Sequence, residues 1–460
     1  MRNLITTNKK ILVVCLFTTV LATVCIHGCS RFAYAKSKFT QTLLVYYGGG
    51  KAFKPGDEEM LAKFDILDVD RFRYDDIAGK TWKAIKHINP KIRIFLYQNG
   101  PETYRTHDSR KGINLNDIGR YGNARSHPMG SLSGNPKFIL KDSSGKPICR
   151  RECPNRVFLD FGQPAFQRYW IQATLADIVY REWKADGVFV DNCMAGYPVE
   201  ELRHSNKYAD VKSYNKSMNS YLNAITRALH EQGQQVFVNR GNTRSETGYK
   251  AWLDLDRMGN PPDIVMEEGA FAVHWGKGDV QFYPEKQWRR QLDIVRKIRH
   301  SEIAYLSHTD LDVGESGFDN YSKPATFWQI FRYALASYQL AKTENPNRLY
   351  FMFQGNCRKG SYKKIWWFRE YDSIDFGKPL SSYKIESIQG TNIYYREFQK
   401  GYVFVNPTPK DILSVPLPTS CIQIKSGFDQ KRLSGLSCVN QIELPAHHGV
   451  FLYKILSPHE

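Results

Sequence analysis

Between residues 43 and 355 the chain alternates short apolar runs with stretches of helical period, and this alternation constrains the fold more than any other feature. Residues 43–47, 66–69, 92–97, 187–190, 236–238, 264–266, 303–306 and 349–353 read as strands, most of them without an interior polar residue. Strands apolar throughout are buried on both faces, which implies parallel pairing beneath a coat of helices. The intervening helices are marked by residues 82–88, 164–183 and 327–340, and by Trp288, Leu292, Val295 and Ile298. A further one places Met218, Tyr221, Leu222, Ile225 and Leu229 on one face and is closed by Gly233. Eight such units over roughly 320 residues fit an α/β fold of the (β/α)8 TIM-barrel type, whose usual size is about 250 residues plus insertions. A doubly wound open sheet is the alternative, but no Gly-x-Gly-x-x-Gly follows the first strand. Residues 100–155 are polar, Gly-rich and aperiodic, too long for an ordinary connection, and are expected to form a functional loop over one face.

After about residue 378 the helical period disappears. Residues 393–398, 402–406, 413–417, 422–424, 442–444 and 450–456 form β runs separated by turn residues such as Gly401, Pro407 and Gly435. They predict a C-terminal antiparallel β-sandwich domain over 379–460, behind a barrel domain over 36–378.

Residues 1–35 have another character. Arg2, Lys9 and Lys10 precede an apolar run over 11–26, and Ala33-Tyr34-Ala35 supplies the small-x-small pattern of a cleavage site, so the segment reads as a secretory signal peptide. The chain is therefore expected to be secreted, periplasmic or at the cell surface, and membrane-bound only if the leader stays uncleaved as an anchor or is lipidated at the poor lipobox ending in Cys29. With a single long apolar run the chain is no multi-pass membrane protein, and 42% hydrophobic residues exclude global disorder. The formal charge is +18, and loss of four basic residues with the leader leaves +14. Such a surface favours an acidic partner such as an anionic glycan. No basic tract is interleaved with a recognition motif, so nucleic acid is not expected. Six cysteines remain beyond the leader, with Cys421–Cys438 and Cys149–Cys153 as local disulfide candidates; no metal site and no cofactor are expected.

A barrel of this kind keeps its active site at the C-terminal ends of the strands. The polar residues that cap them here include Tyr47, Asp68, Asp70, Gln98, Asp191, Asn192, Asn239, the Glu267-Glu268 doublet, His308, Asp310 and Gln354. Carboxylates, amides and tyrosines in a ring suit a polyhydroxylated ligand, because each hydroxyl needs a donor and an acceptor. Tyr47, Asp70, Gln98, Asn192, Asn239 and His308 are the candidate substrate contacts, and Trp275 a stacking face. Glycoside hydrolysis needs two carboxyl groups across the scissile bond, and the best pair is Asp191 with Glu268. Asp191 directly follows an unbroken apolar strand; alternation lets only one member of the Glu doublet face the barrel mouth, Glu268 being preferred and Glu267 held in reserve. Ser307, His308 and Asp310 make a poor triad, since no Gly-x-Ser-x-Gly presents the serine.

The segments Asp186-Gly187-Val188-Phe189-Val190-Asp191-Asn192 and Asp263-Ile264-Val265-Met266-Glu267-Glu268-Gly269 resemble the fourth- and sixth-strand motifs of hypothetical glycosyl-hydrolase-like TIM-barrel families related to the α-galactosidase superfamily. Gly401-Tyr402-Val403-Phe404-Val405-Asn406-Pro407 resembles the β domain that closes such proteins, and the likeness spans roughly residues 40–455. The resemblance implies Asp191 as nucleophile and Glu268 as general acid/base, although α-galactosidases carry Asp at the sixth-strand position. The expectation is an exported glycoside hydrolase acting on an extracellular oligo- or polysaccharide with retention of configuration. Its rival is a non-catalytic glycan-binding protein of the cell surface on a degenerate barrel.

Overall fold

The computed structural model describes residues 39–47, 54–69, 78–104, 107–108, 112–113, 136–151, 153–178, 185–198, 200–208, 210–274, 280–298, 303–311, 324–345, 348–355, 361–424 and 438–455. The leader, Asp70, Trp275 and Cys357 lie outside these residues. Among the described residues no helix is long and apolar enough to cross a membrane.

Eight parallel strands follow one another in chain order: β1 Leu43–Tyr46, β2 Ile66–Val69, β3 Arg93–Asn99, β4 Gly187–Asp191, β5 Gln235–Asn239, β6 Ile264–Val273, β7 Ala304–Leu311 and β8 Leu349–Gly355. A parallel bridge between Thr42 and Phe351 closes the ring, and the Phe351 amide donates to Gln41 O at 2.9 Å. Higher along the same seam the Gln354 amide stands in for the ladder: its Oε1 accepts from Val45 N at 3.0 Å and its Nε2 donates to Val45 O at 3.3 Å. A helix follows every strand: α1 Asp57–Leu61, α2 Ala78–Ile88, α3 Pro164–Ile178, α4 Val211–His230, α5 Glu246–Leu253, α6 Glu285–Lys297, α7 Pro324–Ala341 and α8 Glu370–Ser373. This is the (β/α)8 barrel expected from the alternation of apolar runs.

Strand alternation sorts the core into two shells. Leu43, Ile66, Phe95, Phe189, Phe237, Ile264, Leu306 and Met352 fill the barrel interior, with Phe189 and Phe237 centroids 4.3 Å apart. Their neighbours Leu44, Leu67, Leu96, Val188, Val238 and Val265 face the helices. Gly187 is required where β4 squeezes between its neighbours, since a Cβ there would lie 2.2 Å from Gln235 O. The region after β3 is not a bare loop: Glu102–Tyr104, Cys153–Phe158 and Cys149–Arg150 form a three-stranded antiparallel sheet over the barrel.

The C-terminal strands are β9 Lys384–Ile388, β10 Thr391–Glu397, β11 Gly401–Asn406, β12 Ile412–Ile424, β13 Cys438–Leu444 and β14 His448–Lys454. The expected sandwich is realised as one six-stranded antiparallel sheet in the order β9-β10-β11-β14-β12-β13, curled as a half-barrel. One face, with Tyr394, Val403, Val405 and Phe451, joins the barrel's outer core; the other wraps its own cluster around Ile393, Phe404, Ile442 and Leu452. The two runs predicted at 413–417 and 422–424 are one irregular strand, β12, and β9 was not foreseen because four of its five residues are exposed. Cys421 and Cys438 are free thiols, against the disulfide expected between them: Cys421 pairs with Val439 across the ladder and turns its Sγ to Thr419 O. The Cys149–Cys153 candidate includes a side chain outside the described residues.

Candidate active site

The parity that buries Phe95, Phe189 and Phe237 inside the barrel also selects what lines its mouth. Two residues further along each strand, the same face carries Tyr97, Asp191 and Asn239. By the same count β2 contributes Asp68, β6 Glu268 and β7 His308, and Tyr47 follows directly on β1. The apolar strands thus end in one continuous polar ring.

Asp191 receives four hydrogen bonds. Its Oδ1 accepts from Asn192 N at 2.8 Å and Asn239 Nδ2 at 3.0 Å, and its Oδ2 accepts from the Tyr97 hydroxyl at 2.7 Å and Asn192 Nδ2 at 3.0 Å. Asn192 reaches both oxygens because its backbone is left-handed, with φ 65°, a conformation Asn tolerates better than most residues. Asn239 Nδ2 also donates to Glu268 Oε2 at 2.7 Å, so one amide nitrogen ties the two carboxyl groups together. Burial, and the charge of Asp191 after it, push the Glu268 carboxyl up to about 7; the Asn239 hydrogen bond and the Arg150 and Arg156 charges oppose the rise.

Glu267 faces the other way. It is fully buried, accepts from Thr243 N at 2.7 Å and from Arg244 at 3.2 Å, and so braces the loop between β5 and α5. Of the doublet only Glu268 looks into the barrel. Glu268 is aimed by a bulge: pairing of β6 with β7 is irregular between Glu268 and Val273, where Gly269 and Phe271 have φ of 76° and 63°. Three side chains hold that bulge: Gln291 Oε1 accepts from Phe271 N at 2.6 Å, Tyr283 donates to Gly269 O at 2.8 Å, and Thr309 to Ala270 O at 2.9 Å.

His308 lies beside Glu268 in register on the next strand, fully buried, and neither ring nitrogen has a partner among the described residues. Burial holds its imidazole down to about 3, so it is neutral at working pH, with one donor and one acceptor to offer. Ser307 points outward, which dissolves any triad with His308. Tyr47 donates to Asp68 Oδ2 at 2.8 Å and meets the rings of Tyr97 and Tyr362 edge-on at 5.3 and 5.2 Å.

The structure therefore brings together Tyr47, Asp191, Asn192, Asn239, Glu268 and His308. Gln98 is corrected: it follows Tyr97 on β3 and stands on the helix-facing side, so the strand's inward residue is Tyr97. Asp70 and Trp275 fall outside the described residues, and the carboxylate that β2 supplies within them is Asp68. Tyr97 and Asp68 were legible by counting in twos from Phe95 and Ile66. Tyr362 and Arg150 were not, since they come from outside the eight barrel strands, Tyr362 from a 3-10 turn after β8 and Arg150 from the small sheet after β3: Tyr362 O accepts from Tyr47 N at 2.8 Å, and Arg150 donates to Asn192 Oδ1 at 3.2 Å.

Solved structures of similar arrangement include Amy13B of Eubacterium rectale (11% identity, 91% of this chain and 96% of that chain covered, TM-score 0.47). Others are the isomaltulose synthase SmuA of Protaminobacter rubrum (10%, 90% and 98%, 0.47) and the isomaltulose synthase of Erwinia rhapontici NX5 (10%, 90% and 98%, 0.48). No curated protein sequence matches the chain. The family described as hypothetical glycosyl hydrolase family 15 matches residues 86–402, which takes in Tyr97, Asp191, Asn239, Glu268 and His308, and the chain belongs to that family.

Proposed function

We propose that this glycosyl hydrolase family member cleaves O-glycosidic bonds of an extracellular oligo- or polysaccharide with retention of configuration, using Asp191 as nucleophile and Glu268 as acid/base. The observation that carries the reading is the Asn239 bridge. Its two hydrogen bonds, 3.0 and 2.7 Å laid end to end, cap the separation of the bonded oxygens at about 5.7 Å, near the ~5–5.5 Å of retaining pairs and short of the ~6.5 Å at which inversion begins.

In this mechanism an Asp191 oxygen attacks the anomeric carbon as the bond to the leaving oxygen breaks, and Glu268 gives that oxygen its proton. The Glu268 carboxylate then takes a proton from water, whose oxygen displaces Asp191 from the anomeric carbon. A carboxyl group raised to about 7 carries the proton for the first half and accepts one in the second. The neutral His308 and the Asn239, Asn192 and Tyr47 side chains would bind sugar hydroxyls. The leader would export the chain and be removed after Ala35; the described fold begins soon after, at Phe39, whose ring packs 5.6 Å from Phe376 and 5.5 Å from Phe398.

The test is hydrolysis of a panel of neutral and acidic polysaccharides and aryl glycosides by the chain starting at Lys36, with NMR of the first product anomer. Wild type should release the anomer of unchanged configuration, and Asp191→Asn and Glu268→Gln should each lose on the order of 10³-fold in kcat while still binding. Binding without hydrolysis by the wild type would instead establish the glycan-binding alternative, and an inverted product would overturn the role of Asp191.

A further inference from the structure

Among the described residues, the guanidinium of Arg150 links the insertion after β3 to Asn192, the neighbour of Asp191. Glu102, fully buried at the exit of β3, takes Arg156 at 2.7 Å and Arg150 at 2.6 Å; Arg150 spends its Nε on the same carboxylate. The same Arg150 Nη2 that holds Glu102 Oε1 also donates to Asn192 Oδ1 at 3.2 Å, which leaves the Asn192 Nδ2 facing Asp191 Oδ2 at 3.0 Å. An amide whose oxygen is claimed by a cation cannot turn over without losing both bonds. Two cations on one carboxylate also leave a net positive charge over the mouth.

We propose that Arg150 is a positioning residue: by clasping Glu102 and the Asn192 oxygen it holds Asn192 as a donor to Asp191 and keeps a positive charge beside the carboxylate pair. The proposal rests on the reading of Asp191 and Glu268 given above. Glu268 faces Asp191 from β4 and the neutral His308 from β7, with Asp310 further along the same face; Tyr47 just past β1, Asp68 of β2 and Tyr97 of β3 lie beyond Asp191. Glu102 partly offsets Arg150 and Arg156. Removing one cation from this set makes Glu268 hold its proton to higher pH.

The experiment compares wild type, Arg150→Met, Arg150→Lys and Asn192→Ala. In Arg150→Met, kcat should fall about 10- to 100-fold with KM changed by less than about threefold, as expected for lost orientation. The alkaline limb of kcat/KM should move up by about half a pH unit or more. Arg150→Lys keeps the charge without the fork, so the limb should return to the wild-type position while kcat stays low. Asn192→Ala should lower kcat with the limb unmoved. An Arg150→Met variant with wild-type kcat and limb would overturn the proposal; should that variant not fold, Arg150→Lys with wild-type kcat would do so. A ¹³C NMR titration of the Glu268 carboxyl reads the same shift without substrate. Absence of hydrolysis in the wild type therefore sinks the glycosidase reading, while the titration still decides Arg150.

Discussion

At the scale of the residue the site turns on Asn239. One Nδ2 donates to both Asp191 and Glu268, while its Oδ1 is buried without a partner among the described residues. Replacing Asn239 by Ala removes a donor from each carboxyl group and should lower kcat about 10²-fold, read in steady-state kinetics on whichever glycoside the wild type cleaves. Asn239→Asp sets a third carboxyl group between the two, so the alkaline limb should move to higher pH than in the wild type. Glu268 also marks stability. Its folded carboxyl holds a proton up to about 7, against 4.5 in the open chain, so the folded state binds more protons between those values. Stability from this group is present at low pH and is lost as pH rises from 4.5 through 7. Glu268→Gln should accordingly raise Tm at pH 8 and change it little at pH 4, measured by calorimetry at both values.

Elements decide where those residues point. Bulky Phe271 at φ 63° is unfavourable, and it is held by a hydrogen bond from its amide to the fully buried Gln291 of α6. Gln291→Leu strands that N–H in an apolar setting and should cost about 1–3 kcal/mol in denaturant unfolding. Because the bulge sits just past Glu268, the same change should lower kcat more than it raises KM. The insertion after β3 teaches a related lesson. Its polar, Gly-rich composition reads as loop, yet residues 102–104, 149–150 and 153–158 build a small sheet that delivers Arg150 and Arg156. Short strands whose partners lie fifty residues away leave no periodicity to find.

The whole molecule is held together on the α7 side of the barrel. Arg396 of β10, buried, donates through Nε to Ser381 O at 2.7 Å and through Nη1 to the α7 carbonyl of Leu340 at 3.1 Å and to Lys342 O. At the other end of the contact Gly449 of β14 lies so close to α7 that a Cβ would stand 2.5 Å from Arg332 O. Tyr394 and Asn392 donate to Glu285 of α6, and Tyr383 to Asp293. A curled sheet with an apolar face on α7 is part of the barrel's core rather than an appendage. Arg396→Met should therefore lower Tm by several degrees in a single transition, and truncation after residue 378 should leave an insoluble or molten barrel. Two separated transitions in calorimetry of the intact chain would contradict this.

The fold lay open to reading because each barrel strand states its own burial: an apolar run bounded by turns is extended and covered on both faces whatever surrounds it, and eight of them in alternation with helices have few ways to close. The same local arithmetic reached Asp191, Asn239 and Glu268 as strand ends. What the chain order could not tell was which way each end faces and what meets it there. Gln98 yielded to Tyr97, Glu267 turned to Arg244, and Arg150 arrived from an insertion 42 residues before the Asn192 it bonds. Burial is a property of a segment and is written along it; the hydrogen bonds that join Asn239 to two carboxyl groups exist only once strands far apart in the chain stand side by side.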